Sequence, residues 1–361
     1  MKVFFNFKEI SKSIKPLSSI ITWGIFDGVH RGHQTLIKNV INWAKKTSSP
    51  SLLITFRNHP ERVLNVHNDP LFITSLSHRI MLLEQLGIDN CLVLDFNKKL
   101  SRLSAKDFIE KVIKTIKPAG IVVTKNILFG KDRLGNIHTL RNILAKHRIG
   151  LKIIKPVQYR KKIISSSLIR KEIQNGFLHD AQKMLGRPVT ILGTVVRGEG
   201  RGRILGFPTA NLDPHHEILP PRGVYIAKAQ CLEQFPTCPV RSVVTGSGTG
   251  NNVPSDTSNG VKMQPCPATA ASTFKALVNI GIKPTFQKKL ATNHKEAIEV
   301  YLLNYNQEKY HSLYGKNILV EIISRLRDEK KFSHPDLLVN QIKLDIKKLR
   351  PLPLTGQGSL K

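Results

Sequence analysis

The stretch ITWGIFDGVHRGHQTLIKNVINWA, Ile21 to Ala44, decides the fold of the first half of this chain. Ile21 to Phe26 is apolar and rich in β-branched residues, which predicts a buried strand, while Leu36, Ile37, Val40, Ile41 and Ala44 recur at helical spacing. Between strand and helix lies a tight glycine turn with two histidines, His30 and His33, three positions apart on one face of the helix start. Free backbone N–H groups and the positive end of the helix dipole favour a phosphate there. Gly32 removes a side chain between the histidines, so a phosphoryl group can approach the main chain. Two imidazoles can then donate hydrogen bonds to oxygens that gain charge when an α-phosphate is attacked. A zinc pair is the competing reading, but zinc asks for a third and usually a fourth ligand, and Asp27 is the near candidate.

Outward from this stretch, SLLITF (51–56) is a second buried strand that closes on RNHPERVL, a turn carrying His59 and Pro60. HRIMLLEQLGI (78–88) reads as a helix, CLVLDF (91–96) as a strand, SAKDFIEKVIKTIK (104–117) as a helix and GIVVTK (120–125) as a strand. Alternation of this kind predicts a parallel, Rossmann-like sheet with helices on both faces and ligands at the carboxyl ends of its strands. His30, His59 and the TKNILFG loop (124–130) all fall at such ends.

After ISSSLIRKEIQNG (164–176) and a helix running to LGRPV, the texture changes. From Thr190 onward short alternating strands follow one another, ILGTVV, GVYIAKAQCL, FKALVNI, AIEVYLL and NILVEII, separated by glycine and proline turns. That pattern predicts an antiparallel barrel, with the boundary near residue 183. SHPDLLVNQIKLDIKKL (333–349) is a closing helix with Ser333 as its expected cap, and residues 351–361 are a polar tail. The segment 236–273 is rich in Ser, Thr, Gly, Asn and Pro, cannot bury enough surface to offset chain entropy, and reads as a long hairpin loop inserted in the barrel.

A length of 361 residues makes two domains the natural division, 1–182 and 183–350. Four cysteines without paired spacing and a start without leader features point to a reducing cytoplasm. No uncharged run approaches the length that spans a bilayer, so no membrane partner is expected. The formal charge of +31 attracts polyanions at low salt. Its basic residues are spread along the chain without an arginine-rich tail or an aromatic-glycine repeat, so nucleotide substrates are the expected partners and nucleic acid is the less favoured one.

GIFDGVHRGH, TFRNHPERVL and ISSSLIR in the first half, and GRILGFPTANL, NIGIKPTF, IEVYLL, LYGK and LRDEKKF in the second, occur in an order that resembles the bifunctional riboflavin kinase/FAD synthetases of bacteria. The likeness runs from about residue 15 to 348, and the PTAN string in this context is highly specific. It implies two ATP-dependent steps: phosphorylation of riboflavin to FMN in the barrel, then transfer of AMP onto FMN in the α/β half, giving FAD and pyrophosphate.

For the adenylyl step the resemblance implies catalysis by His30 and His33, with Gly24, Phe26, Asp27 and Gly32 in the same ATP site. Ser165, Ser166 and Arg170 would hold the outgoing β- and γ-phosphates, hydroxyls and a guanidinium being suited to that charge. His59, Asn126 and Phe129 would meet the flavin. The second half lacks a GxxxxGK[ST] loop, and VVRGEGRGRILGF offers another device. Gly198, Gly202, Gly206 and Pro208 shape a loop over the triphosphate while Arg203 or Arg201 offsets its charge. Thr209 and Asn211 supply hard oxygen ligands for Mg²⁺, and Glu299 acts as general base toward the ribityl hydroxyl. Alternation puts Ile298, Val300 and Leu302 on the core face and Glu299 with Tyr301 on the other.

The chain departs from the family pattern at VTKNILFG (123–130), where VGxDFxFG is usual, and at Asn58, Leu168, Tyr301 and Asn304. The 123–130 loop is the one that, in the family, helps cradle the flavin of the adenylyl step. These departures leave a riboflavin kinase with a degenerate first domain as the alternative reading. A monomer or weak homo-oligomer is expected.

Overall fold

The computed structural model describes residues 1–13, 19–64, 70–198, 200–232, 272–282, 296–306 and 312–349. They form two compact units. One holds the described residues of Met1–Pro70 and Leu76–Ser165, the other those of Leu71–Ser75, Ser166–Phe235 and Cys266–Lys361.

The first unit is built on six parallel strands, β1 (Lys2–Phe4), β2 (Ile20–Trp23), β3 (Ser51–Phe56), β4 (Asn90–Leu94), β5 (Gly120–Thr124) and β6 (Gly150–Ile154), in the order β1-β4-β3-β2-β5-β6. Every residue of β2, β3 and β4 is buried, as expected for strands covered on both faces. Side chains alternate between two cores. Ile21, Leu52, Ile54 and Ile121 face the helices Ala105–Ile116 and Ile137–Lys146, whereas Ile20, Leu53 and Val122 face Arg31–Lys46 and Leu76–Gln85. Successive strands run outward in one direction from β2 to β4 and in the other from β5 to β6, so strand order reverses between β2 and β5. Ligands of open α/β sheets bind at such a reversal.

Sequence reading finds the central strands and helices here but not β1 and the helix Phe7–Ser13 that follows it. Both are short, and β1 is held by pairing with β4, Val3 opposite Cys91, and by burial of Val3 and Phe4 in the two cores.

The second unit is a closed six-stranded barrel of β9 (Val189–Val196), β10 (Thr209–Asp213), β11 (Gly223–Leu232), β12 (Thr273–Ile282), β13 (Glu296–Leu302) and β14 (Asn317–Arg327), antiparallel throughout. Two-residue strands β7 (Gln158–Tyr159) and β8 (Lys162–Ile163) make a small hairpin before it. Ile191, Val195, Leu212, Tyr225, Val278, Ile298, Val300 and Val320 fill the barrel core. The loop expected at 236–273 lies outside the described residues except for Ser272 and Thr273, whose strand pairs with β11.

Helices Ser166–Gln174 and Leu178–Leu185 group with the barrel, and Leu178 packs on its core. The segment Leu71–Ser75 does so as well, because the buried Glu217 carboxylate accepts hydrogen bonds from Ser75 N–H at 2.7 Å and Leu192 N–H at 2.9 Å. The closing helix spans Pro335–Leu349 and lays Ile346 and Leu349 on Val224, Ile226 and Leu277. It starts with proline at its first position, so His334 directly precedes it and the expected cap, Ser333, stands one residue further out.

Candidate active sites

The histidine turn sits at the carboxyl end of β2, beside the exit of β3, which carries His59, and that of β5, which carries 124–130. Phe26, Gly28 and Val29 take left-handed backbone angles, φ 55°, 76° and 40°. For the two non-glycine residues this costs on the order of 1–3 kcal/mol each, so the surrounding packing holds the turn in place. His30 is the N-cap of helix Arg31–Lys46, its Nδ1 accepting the His33 N–H at 3.3 Å. An imidazole thus does the work usual for Ser or Asp at a cap. Because Nδ1 accepts, a neutral His30 carries its proton on Nε2, which makes Nε2–H a donor.

The His33 ring stacks on His30 with centroids 3.6 Å apart and meets the Phe26 ring edge to face at 5.1 Å. Burial, then His30, then Arg79 hold the His33 pKa well below the ordinary imidazole value. At neutral pH this ring is therefore uncharged and offers one N–H. Its Nδ1 is sealed from solvent and has no hydrogen-bond partner among the described residues, which leaves Nε2 as the nitrogen that can face a ligand. Gly32 also gives the His30 ring its space. A Cβ there would lie 3.1 Å from His30 Cε1, so the missing side chain makes room for the imidazole. The same point is 4.0 Å from the Ile164 carbonyl, which brings the segment ending in Ser165 to the turn. Ser166 and Arg170 lie one turn apart on the helix Ser166–Gln174 of the second unit.

Gly24 lies under the Phe26 ring, and Asp27 is 1% exposed within the turn. His59 is also buried, and its Nδ1 accepts the Glu61 N–H at 3.3 Å. Asn58, where the family pattern has proline, clamps the loop after β4: its Nδ2 donates to the Phe96 carbonyl at 2.7 Å and its Oδ1 accepts the Phe96 N–H at 2.9 Å. Asn126 is exposed on the loop after β5. Phe129, expected to face the flavin, instead belongs to the core, edge to face with Trp23 at 5.6 Å.

In the barrel a cavity of about 670 Å³ gathers Gly198, Gly202, Arg203, Pro208, Thr209, Asn211 and Glu299. Gly206 is outside its lining and supplies a left-handed turn, φ 82°, beside the one-turn helix Arg201–Ile204. Thr209 and Asn211 stand on β10, a strand missing from the sequence reading because a five-residue segment after proline carries little periodicity. Register explains the gathering. Asn211 on β10 and Asn279 on β12 are both direct partners of Glu299 on β13, so the three form one cross-strand row. A Cβ on Gly198 would fall 2.0 Å from Asn211 Nδ2, so glycine there leaves the amide its place.

Asn279, Tyr305, Tyr314 and Glu329 also line the cavity and were not singled out from sequence. Asn279 lies within NIGIKPTF and Glu329 within LRDEKKF, so the motifs flagged their neighbourhoods without naming the residues. Among the described residues no group of three His, Cys, Asp or Glu is placed to hold a metal ion. No described helix is long and apolar enough to cross a membrane.

Comparison with known proteins agrees with this two-site geometry. The FAD synthetase family model matches residues 13–168 and the riboflavin kinase model residues 185–352. The bifunctional riboflavin kinase/FMN adenylyltransferase of Bacillus subtilis is 33% identical over 91% of this chain and 90% of its own length. That of Buchnera aphidicola from Schizaphis graminum is 31% identical over 94% of each. A crystal structure described as a macrolide-efflux protein from Streptococcus pneumoniae superposes with a TM-score of 0.75 at 27% identity, covering 98% of this chain and all of that one. An α/β half with a histidine turn at its strand reversal, a barrel with a Thr-Asn-Glu cavity, and relatives that align along nearly the whole chain lead to one conclusion: this chain belongs to the bifunctional riboflavin kinase/FMN adenylyltransferase family.

Proposed function

We propose that the chain phosphorylates riboflavin to FMN in the barrel cavity and adenylylates FMN to FAD at the histidine turn, each step consuming ATP. The observation that carries the kinase half is the row Asn211, Glu299 and Asn279 on one cavity wall. Glu299 accepts the proton of the ribityl hydroxyl as its oxygen attacks the γ-phosphorus, and ADP leaves. Gly198, Gly202 and Arg203 border the same space and would receive the triphosphate. Thr209 and Asn211, two apart on one strand, present a hydroxyl and an amide oxygen to one side. Two neutral oxygen donors suit a magnesium ion that keeps several waters and binds chiefly through nucleotide phosphates. Bound there, the ion would neutralise charge on those phosphates.

In the first unit an FMN phosphate oxygen attacks the ATP α-phosphorus and pyrophosphate leaves. His30 Nε2–H and the single N–H of neutral His33 donate to the α-phosphate oxygens as their charge grows. Gly24, Phe26, Asp27 and Gly32 shape that turn, and His59 and Asn126 stand at neighbouring strand exits for the flavin. We assign adenylyl transfer to residues 1–182, which includes Ser165, Ser166 and Arg170 as holders of the outgoing phosphates, and the kinase to 183–350. A cytoplasmic monomer or weak homo-oligomer is the setting we infer, in keeping with four cysteines of unpaired spacing.

Chromatography of flavins after incubation with ATP, Mg²⁺ and either riboflavin or FMN tests both halves. Glu299→Gln should lower FMN formation by roughly 10²–10⁴ and still convert added FMN to FAD. His33→Ala should do the reverse, losing about 10²–10³ in FAD formation. Equal loss of both products in either variant contradicts the assignment.

A further inference from the structure

Arg79 is fully buried, the largest such side chain among the described residues, and neither the sequence motifs nor the proposed chemistry uses it. It stands on helix Leu76–Gln85, and its Nη1 donates to the carbonyl oxygen of Ile25, to Thr55 Oγ1 at 3.2 Å and to the Phe56 carbonyl at 3.1 Å. Thr55 Oγ1 donates in turn to the Ile25 carbonyl at 2.9 Å. These acceptors lie at the exits of β2 and β3. Ile25 immediately precedes Phe26, whose left-handed backbone and ring contact place His33, and Phe56 opens the turn that carries His59.

Burying a guanidinium costs several kcal/mol unless its hydrogen bonds and local charge are well matched. An apolar side chain would fill the same space more cheaply but would remove the one donor that the Ile25 and Phe56 carbonyls share, and with it the link between the two strand ends. The arrangement makes sense where those two ends must hold one geometry.

We propose that Arg79 is a positioning residue of the adenylyl-transfer site, its guanidinium locking the exits of β2 and β3 so that the His30–His33 turn and the His59 turn are set before nucleotide arrives. The proposal rests on the reading that His30 and His33 serve adenylyl transfer. Its charge also acts on the His33 imidazole, together with the neighbouring His30. With the fold and the burial of His33 retained, removal of that charge gives a second readout beside the rate.

The test compares full-length Arg79→Lys and Arg79→Met with the parent chain. Lysine keeps the charge, but its shorter stem stops short of the Nη1 position that makes these three bonds, so kcat for FMN to FAD should fall about tenfold, with riboflavin to FMN unchanged. Methionine loses both, so kcat should fall about a hundredfold. The imidazole NMR titration of His33, assigned with His33→Gln, should then move up toward the ordinary range. FAD formation within threefold of the parent in Arg79→Lys, or an unmoved His33 titration in folded Arg79→Met, overturns the proposal. Circular dichroism reports whether Arg79→Met folds; if it does not, the Arg79→Lys rate alone decides. A parent chain that makes FMN but no FAD removes the underlying reading, whereas parental FAD synthesis with an indifferent Arg79→Met removes only the role of Arg79.

Discussion

Burial, then the neighbouring His30, then the Arg79 guanidinium keep the His33 imidazole uncharged, and this has a thermodynamic consequence. The unfolded chain binds a proton at that residue near the ordinary pKa of about 6.5, the folded chain only at lower pH. Stability is therefore at its full value above that pH and falls as pH drops below it toward the depressed folded value. Denaturant midpoints at pH 7.5 and 5.5 should show this loss, and His33→Gln should reduce it. Gly198 poses a different question, since a methyl group there meets the side chain of Asn211 and not the backbone of another strand. Asn211 can rotate away, so Gly198→Ala should leave the melting temperature nearly unchanged. Displacing the amide from the cavity should lower riboflavin kinase kcat by about tenfold or more, read by FMN formation.

Elements are joined by a small number of buried polar contacts that composition does not announce. The closing helix Pro335–Leu349 is tied to β14 where Arg327 Nε and Nη2 each reach Asp345 Oδ2 at 2.9 Å, and Gln341 Nε2 donates to Oδ1 at 3.0 Å. Asp345 is 2% exposed, so Asp345→Ala strands a largely covered guanidinium and should destabilise the second unit by about 3 kcal/mol. Urea unfolding followed by circular dichroism reads that change. Strand β10 teaches a related lesson. Thr209 and Asn211 could be turn residues by sequence, yet pairing with β9 and β13 makes the segment a strand and points both residues to one side. Phe129 runs the other way: it is an aromatic in a loop motif whose ring the core absorbs against Trp23.

Across the whole molecule, His33 and Glu299 belong to different compact units, one built on the parallel sheet and the other on the barrel. Each half-reaction should then survive loss of the other. A mixture of His33→Ala and Glu299→Gln proteins should convert riboflavin to FAD, the first supplying FMN and the second adenylylating it. Neither variant alone should do so, and failure of the mixture would mean that FMN formed on one chain does not reach the site of another. The net charge of +31 spreads over both units and draws anionic nucleotides toward either site, an attraction that salt weakens.

Most of the strands and helices, the change from an α/β half to a barrel, and the short motifs with His30, His33, Thr209, Asn211 and Glu299 were legible in the sequence. Periodicity, turn residues and motif spacing are local properties, and a chain carries them before it folds. The tertiary structure alone decided which motif residues share a wall, through strand register that set Asn279 beside Glu299. It also gave His30 its second task as a helix cap, sent Phe129 into the core, and buried Arg79 beneath two strand ends. These depend on contacts between residues tens of positions apart, whose energies arise only when the packed chain excludes water and fixes hydrogen-bond partners.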